Sequence, residues 1–136
     1  MNRSKILVAD DNESIRDMIK EYLEEKGFTI ITAVNGTEAV AMEEKLRPDL
    51  VILDVVMPVM DGFEACKIIR ERRSGIHYVP ILFLSGALTE GTVVTGLQAG
   101  GDDYIRKPFE LPELLGRINS FMKIGNSSSR SNRSKT

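Results

Sequence analysis

The sequence predicts an α/β fold in which a doubly wound parallel sheet of five strands carries helices on both faces. Five short apolar runs, each too short for a helix, recur along the chain and are typical of buried strands. Between these runs lie longer segments whose apolar residues repeat at the spacing of a helix. Strands and helices that alternate in this way form a parallel sheet, because every crossover helix covers one of its faces.

The first part of the pattern begins with the run KILVAD at residues 5–10, which predicts the first strand. The second strand is predicted at FTIITA, residues 28–33, which is less apolar and therefore nearer an edge of the sheet. A second helix is predicted over residues 37–46, because Pro48 bars its continuation. The first helix, which Gly27 ends, has an apolar stripe at helical spacing: Ile15, Met18, Ile19, Tyr22 and Leu23.

The pattern continues with a third strand at DLVILD, residues 49–54, and a third helix over residues 62–73. The run PILFLS at residues 80–85 predicts the fourth strand. A fourth helix is expected over residues 89–98, although the glycines and β-branched residues of this segment lower its helix propensity. The fifth strand is predicted at DYIRK, residues 103–107, where a proline follows.

The end of the chain combines a firm helix with a polar tail. Residues 125–136 contain no hydrophobic side chain and predict a flexible, Ser-rich tail or linker. The folded domain is therefore expected to cover residues 1–124, either as a stand-alone protein or as the N-terminal part of a longer one. The last helix has the strongest amphipathic stripe in the chain: Leu111, Leu114, Leu115, Ile118, Phe121 and Met122.

Composition excludes several classes of protein. The 136 residues fit one domain, and 42% hydrophobic with 28% charged residues is ordinary for a globular protein. The formal net charge of −2 gives no reason to expect nucleic acid or an anionic membrane surface as a partner. No apolar run approaches the length of a membrane span. The one cysteine, Cys66, excludes an internal disulfide, so we expect a reducing, cytoplasmic location.

Polar side chains stand at the carboxyl ends of four predicted strands, where parallel α/β sheets place their ligands. The first strand ends in Asp10 and Asp11, the third in Asp54, the fourth in Ser85 and the fifth in Lys107. Carboxylates held together repel each other, and a hard divalent cation cancels that repulsion. Mg²⁺ prefers oxygen ligands and commonly binds one or two carboxylates together with phosphate oxygens. These residues therefore predict a site for Mg²⁺ and a phosphoryl group.

Four motifs carry a resemblance to a known family. VADDNESIR, LVILDVVMPVMDG, ILFLSGA and AGGDDYIRKPF together resemble the receiver domain of bacterial two-component response regulators, a resemblance that covers about residues 5–123. It implies a flavodoxin-like fold with strand order 2-1-3-4-5. It also implies a signalling module that takes a phosphoryl group from a sensor histidine kinase or a phosphotransfer protein.

The resemblance implies a role for each polar residue of the site. Asp54 would be the phosphoacceptor, whose carboxylate attacks the phosphohistidine of the partner. Asp11 and Asp54 would bind Mg²⁺ directly, together with the backbone carbonyl of Val56, and Asp10 would act largely through water. Lys107 would pair with the phosphoryl oxygens.

Further implied roles concern the switch. Ser85 would donate a hydrogen bond to the phosphoryl group, and Tyr104 would be the aromatic residue whose rotamer follows Ser85. The face formed by the fourth helix, the fifth strand and the fifth helix would then dock an output domain, a downstream protein or a second copy of the chain. The resemblance also predicts a cis peptide bond between Lys107 and Pro108. Val56 and Ala87, which would face the phosphoryl group, offer no polar guide for water and predict slow dephosphorylation.

Other interpretations of these residues remain open at this point. Asp54 or the Asp10–Asp11 pair could cap helices, Lys107 could be a surface lysine, and Tyr104 could serve packing alone. A flavodoxin-like cofactor site is disfavoured because the two aspartates would repel a phosphate. A haloacid-dehalogenase-like phosphatase would need a second aspartate where Val56 stands. The remaining alternative is a receiver-shaped interaction module that works without phosphorylation.

Overall fold

The computed structural model describes residues 4–73, 78–86 and 90–127. The five strands of the sheet are β1 Lys5–Ala9, β2 Thr29–Ala33, β3 Leu50–Asp54, β4 Ile81–Ser85 and β5 Asp103–Arg106. The helices that alternate with them are α1 Glu13–Glu25, α2 Gly36–Leu46, α3 Gly62–Arg72, α4 Glu90–Ala99 and α5 Leu111–Ser127. None of the helices in this described part of the chain combines the length and the hydropathy that a membrane crossing requires.

The strands form one parallel sheet in the order β2-β1-β3-β4-β5. This confirms the predicted doubly wound, flavodoxin-like α/β fold and its strand order. The order reverses direction between β1 and β3, so a crevice opens beyond the carboxyl ends of these two strands. The site described below lies at that switch point.

Two hydrophobic layers cover the two faces of the sheet. Helices α1 and α5 pack on one face, with Ile19, Leu23, Leu114 and Ile118 fully buried. Helices α2, α3 and α4 cover the other face, where Phe83 is the largest fully buried side chain. Because successive side chains on a strand point to opposite faces, alternate residues of each strand belong to alternate layers.

Short polar side chains set where the helices begin. Asn12, Asn35 and Asp61 each precede a helix and accept a hydrogen bond from the backbone N–H three residues later, at 3.0, 2.8 and 2.9 Å. Such caps satisfy backbone donors that the first turn leaves without a partner. Asn35 therefore starts α2 at Gly36, one residue earlier than the apolar pattern predicts. At the end of α1, Gly27 has φ +99°, a conformation that few other residues adopt.

The remaining differences from the predicted bounds are small. Strands β2, β3 and β4 begin one residue later than predicted, and β5 ends at Arg106, so Lys107 lies just beyond the strand. Helix α5 continues to Ser127, past the predicted domain end at residue 124. Thr89, the predicted start of the fourth helix, lies outside the described residues. So do residues 128–136, and the flexible tail therefore stays a prediction.

Candidate functional site

Three carboxylates form an acidic pocket at the carboxyl ends of β1 and β3. One oxygen atom each from Asp10, Asp11 and Asp54 lies within 4.8 Å of the others. Asp10 is fully buried and Asp54 is only 5% exposed, whereas Asp11 is exposed. The structure therefore brings together the three acids that the strand-end argument selected.

The strand register explains which way these side chains point. Asp10 follows Val8 by two residues and Asp54 follows Ile52 by two residues, and both of these apolar residues belong to the layer under α1 and α5. Successive side chains on a strand alternate between faces, so both acids leave the sheet on the same side. Lys107 stands in the same relation to Ile105, which belongs to that layer as well.

Asp54 is held at the end of β3 by close backbone packing. The N–H of the next residue, Val55, donates to the carbonyl of Leu84 in β4 at 2.9 Å. The N–H of Gly62, which begins α3, donates to the Val55 carbonyl at 3.0 Å. A Cβ atom at Gly62 would overlap with the backbone carbonyl of Asp54. A glycine is therefore required where the third helix passes the end of β3 at Asp54.

Lys107 links the two buried acids. Its Nζ lies 3.1 Å from Oδ2 of Asp10 and 3.2 Å from Oδ2 of Asp54. Its backbone N–H donates to the carbonyl of Ser85 at 2.8 Å, which ties the end of β5 to the end of β4. The peptide bond between Lys107 and Pro108 is cis, as predicted. The ammonium group thus lies in the pocket rather than in solvent.

The proximity of these charges changes their protonation. Burial raises the pKa of the Asp54 carboxyl from 3.8 to about 6, the charge of Asp10 adds to the rise, and Lys107 opposes it. For Lys107, burial alone lowers the pKa, but its contacts with Asp10 and Asp54 outweigh burial and raise the pKa above its ordinary value. One ammonium therefore neutralises only part of the charge of the three acids.

The donor set fits a divalent metal ion. Oδ2 of Asp10 is buried and, although it lies within ion-pair distance of Lys107, no well-directed hydrogen bond reaches it from the described residues. A buried carboxylate oxygen in this state is costly unless another partner neutralises it. The oxygen atoms of three carboxylates match the ligand preference of Mg²⁺. This ion retains several waters and does not require the protein to fill every coordination position.

Ser85 and Tyr104 belong to the opposite face of the sheet. Ser85 follows Phe83 by two residues, and both Phe83 and Tyr104 lie in the layer under α2, α3 and α4. Ser85 is only 3% exposed and ends β4 beside the pocket. The two residues that the resemblance assigns to the switch therefore share one side of the sheet, which is the side that α4 covers.

Tyr104 is coupled directly to α4. Its hydroxyl donates a hydrogen bond to the backbone carbonyl of Thr92, and its ring lies 5.3 Å from the ring of Phe83. A Cβ atom at Gly96 would overlap with the Tyr104 hydroxyl, so the glycine leaves the space that the ring end fills. Tyr104 thus does more than fill the core, because it connects β5 to α4, the helix whose sequence has a low helix propensity.

Two other predicted positions remain less defined. Val56 follows Asp54 by two residues and is 75% exposed, as expected for a residue that would contribute only its backbone carbonyl. Ala87, predicted to face the phosphoryl group, lies outside the described residues. Metal coordination by Val56 and the influence of both side chains on dephosphorylation stay predictions.

Several residues that shape the site were not singled out from the sequence. Asn12 donates its backbone N–H to Oδ1 of Asp10 at 2.9 Å, and Arg16 donates to the Asp10 carbonyl at 2.7 Å. Gly36 donates its N–H to the Met60 carbonyl at 2.9 Å, which ties the start of α2 to the loop after Asp54. An Asn before a helix and a Gly beside one were visible signals, but their partners depend on the tertiary fold.

Comparison with known proteins gives a consistent result. The sequence matches the family model described as the response regulator receiver domain over residues 6–119. It is 42% identical over 123 residues to the alkaline phosphatase synthesis transcriptional regulatory protein PhoP of Bacillus subtilis, an alignment that covers 90% of this chain and 50% of the relative. The chain spans about half the length of the curated relatives it matches.

Solved structures show the same likeness. The chemotaxis protein CheY4 of Vibrio cholerae superposes with a TM-score of 0.82 at 36% identity, covering 88% of this chain and 98% of that one. The receiver domain of the Francisella response regulator 1452 gives a TM-score of 0.83 at 34% identity, with 90% and 99% covered. At these identities the likeness extends from the fold to the sequence.

Proposed function

This chain belongs to the response regulator receiver domain family, and we propose that Asp54 is the phosphoacceptor of its signalling role. The family is regulatory, and its members work in two-component signal transduction. The observation that carries the assignment is the placement of Asp54 within one pocket with two further carboxylates and the ammonium of Lys107. Asp10 shares these neighbours, and the choice of Asp54 between the two rests on its place in the motif LVILDVVMPVMDG, which resembles that of receiver domains.

The proposed reaction is a phosphoryl transfer from a phosphohistidine. A carboxylate oxygen of Asp54 attacks phosphorus, the bond from phosphorus to the imidazole nitrogen breaks, and the imidazole leaves with a proton. Asp10, Asp11, Asp54 and the backbone carbonyl of Val56 would hold Mg²⁺, which neutralises charge on the phosphoryl oxygens when it is bound. The acceptor must be ionised to attack, and Mg²⁺ would favour that form when bound, since it would oppose the rise in the pKa of Asp54 that burial and Asp10 cause.

Two side chains would stabilise the transferred group. The Lys107 ammonium already lies 3.2 Å from Oδ2 of Asp54, so it needs little movement to pair with a phosphoryl oxygen. Ser85 ends the neighbouring strand and carries a hydroxyl that can donate to another of these oxygens. Transfer of this kind depends mostly on positioning and on neutralising charge, and both residues supply these.

The same phosphorylation would operate the switch. Movement of Ser85 toward the phosphoryl group would change the packing above Phe83, where the Tyr104 ring lies. Because the Tyr104 hydroxyl is bonded to Thr92 of α4, a change in the rotamer of Tyr104 would shift that helix. We propose that the face formed by α4, β5 and α5 docks an output domain, a downstream protein or a second copy of the chain.

The partners follow from this chemistry. On the input side we propose a sensor histidine kinase or a phosphotransfer protein that presents a phosphohistidine, in the cytoplasm. On the output side, the related PhoP is named a transcriptional regulatory protein, and it is about twice as long as the matched region. We therefore propose that this domain controls transcription through another domain or another protein, and does not bind nucleic acid itself.

The assignment is tested by incubation with acetyl phosphate, followed by intact-mass measurement. Wild-type protein should gain one phosphoryl group with Mg²⁺ and much less in EDTA, and Asp54→Asn should gain none. The matched control is Asp17→Asn, which removes an exposed carboxylate from α1 and should be labelled like wild type. Equal labelling of Asp54→Asn and wild type would refute the acceptor. Absence of any labelling would favour the alternative of an interaction module that works without phosphorylation.

A further inference from the structure

Arg16 makes a contact at the acidic pocket that the proposed phosphoryl transfer does not use. It lies in the first turn of α1, its side chain is half-buried, and one guanidinium nitrogen donates to the backbone carbonyl of Asp10 at 2.7 Å. The contact connects the helix to the last residue before Asp11. The positive charge of Arg16 should repel a metal ion bound by the three carboxylates, so its place beside them needs a physical reason.

Asp10 has a neighbour at each of its polar groups, although the one at Oδ2 is an ion pair without a well-directed hydrogen bond. Its N–H donates to the carbonyl of Ala33 at 3.1 Å, and its Oδ1 accepts from the N–H of Asn12 at 2.9 Å. Its Oδ2 lies 3.1 Å from Nζ of Lys107, and its carbonyl accepts from Arg16. Of these four contacts, the one made by Arg16 acts on the peptide group that joins Asp10 to Asp11.

That peptide group sets the starting point of Asp11. The carbonyl of Asp10, the N–H of Asp11 and the Asp11 Cα atom lie in one rigid plane, so holding the carbonyl restricts where that Cα atom, and with it the carboxylate, can lie. Asp11 is exposed and stands on a bend, yet its carboxylate lies within 4.8 Å of those of Asp10 and Asp54. Its place in the pocket therefore depends on the backbone more than on packing of its own side chain.

We infer that Arg16 is a positioning residue for the metal site, and that it raises the affinity for Mg²⁺ despite its positive charge. The inference rests on the proposed function, because it assumes that the three carboxylates bind Mg²⁺. Two effects of Arg16 oppose each other. Its charge repels a cation and weakens binding. Its hydrogen bond orients Asp11 and strengthens binding, as partners that orient metal ligands commonly do.

Substitution of Arg16 separates the two effects, because the affinity for Mg²⁺ should fall if the hydrogen bond dominates and rise if the charge dominates. We expect Arg16→Met to bind Mg²⁺ at least about tenfold more weakly than wild type. Arg16→Lys keeps the charge and a donor but loses the planar fork, so its affinity should lie between those two. Lys20→Met is the control, because it removes a positive charge from α1, where Lys20 pairs with Glu24 at 3.0 Å, without touching Asp10. It should bind at least as tightly as wild type.

The affinity is measured on the full chain by titration of backbone amide chemical shifts with magnesium chloride, a readout that needs no phosphorylation. Thermal unfolding in EDTA checks that each variant folds. Equal binding by Arg16→Met would overturn the inference, and tighter binding would show in addition that Arg16 acts through its charge. If Arg16→Met does not fold, Arg16→Lys decides, since binding equal to wild type would also overturn it. A wild-type protein without any response to Mg²⁺ would instead overturn the metal site and the proposed function with it.

Discussion

The Asp54 carboxyl is almost fully buried, and burial disfavours its charged form. Its surroundings raise its pKa from 3.8 to about 6, first through desolvation and then through the charge of Asp10. A carboxyl whose pKa is higher in the folded state binds its proton more tightly there than in the unfolded chain. The folded state therefore loses stability as the pH rises from about 4 to about 6, and this loss persists above that range.

This leads to a prediction for Asp54→Asn in EDTA. The substitution removes the buried charge, so it should increase the free energy of unfolding at pH 7 by about 1–3 kcal/mol, a range that already includes the loss of the ion pair with Lys107. Urea unfolding of both proteins between pH 4 and pH 8 measures the difference. The gain should be small at pH 4, grow toward pH 6 and then level off. A variant that is less stable than wild type at pH 7 and equal at pH 4 would contradict this account.

The exposed Val56 provides a second prediction at the residue scale. Its side chain cannot orient water, so the phosphorylated protein should lose its phosphoryl group slowly. Asn at this position offers an amide that can hydrogen-bond an attacking water, and Val56→Asn should shorten the half-life severalfold. The decay of the phosphorylated species by intact mass after removal of acetyl phosphate measures it. Val59→Asn, which changes an equally exposed valine of the same loop, is the control, and a longer half-life for Val56→Asn would refute the argument.

At the residue scale, the sequence predicts which residues form the site better than it predicts which residues hydrogen-bond to them. Asp10, Asp54 and Lys107 could be selected because strand ends of a parallel sheet share one edge. The contacts of Asn12 and Arg16 with Asp10 could not, because they depend on how the first turn of α1 lies against the strand. Such distances follow only from the folded chain.

At the scale of elements, α4 and α5 differ in how they are held. Helix α4 contains two glycines, and Val94 and Leu97 on it are 45% and 60% exposed. Its C-terminal end is anchored to α3, where Cys66 donates to the Ala99 carbonyl at 3.2 Å and Arg70 to the Gly100 carbonyl at 2.8 Å. Toward its N-terminal end, the backbone carbonyl of Thr92 accepts a hydrogen bond from Tyr104. Helix α5 instead buries a continuous apolar stripe.

Hydrogen exchange tests this difference. Amides of residues 91–98 should exchange faster than those of residues 111–122 in the unphosphorylated protein, because a helix with few buried contacts opens more easily. Phosphorylation should slow exchange in residues 91–98, since it biases the switch toward one state. Asp54→Asn treated with acetyl phosphate is the control and should not change. Equal protection of both segments, unaffected by the phosphodonor, would remove the basis for treating α4 as the moving element.

The bounds of most elements were predictable to within one or two residues, because periodicity and helix-stop signals are local, but α5 ends three residues past the predicted domain end. The start of α2 was misplaced by one residue, since the cap at Asn35 competes with the apolar pattern. The buried ion pair between Arg73 of the α3 end and Glu43 of α2 had no local signal at all. A charged residue on a helix usually faces solvent, and only the packing of two helices shows otherwise.

At the scale of the whole molecule, the alternation of strands and helices predicts a parallel sheet but not the order of its strands. Right-handed crossovers leave a few doubly wound orders, and the order 2-1-3-4-5 came from the resemblance to receiver domains. That order puts β1 and β3 side by side, with Ile6 opposite Leu50 in the register. The acids at the ends of these strands therefore meet, which makes the topology itself part of the site.

The central claim is that Asp54 carries the phosphoryl group, and the most direct measurement locates it chemically. Protein treated with acetyl phosphate and Mg²⁺ is reduced with borohydride, which converts an aspartyl phosphate to homoserine, and is then mapped by peptide mass spectrometry. Homoserine at position 54, found only in the sample treated with acetyl phosphate and Mg²⁺, is the result that the account predicts. Homoserine at Asp10 or Asp11, or a stable phosphate on Ser85, with position 54 unchanged, would contradict it.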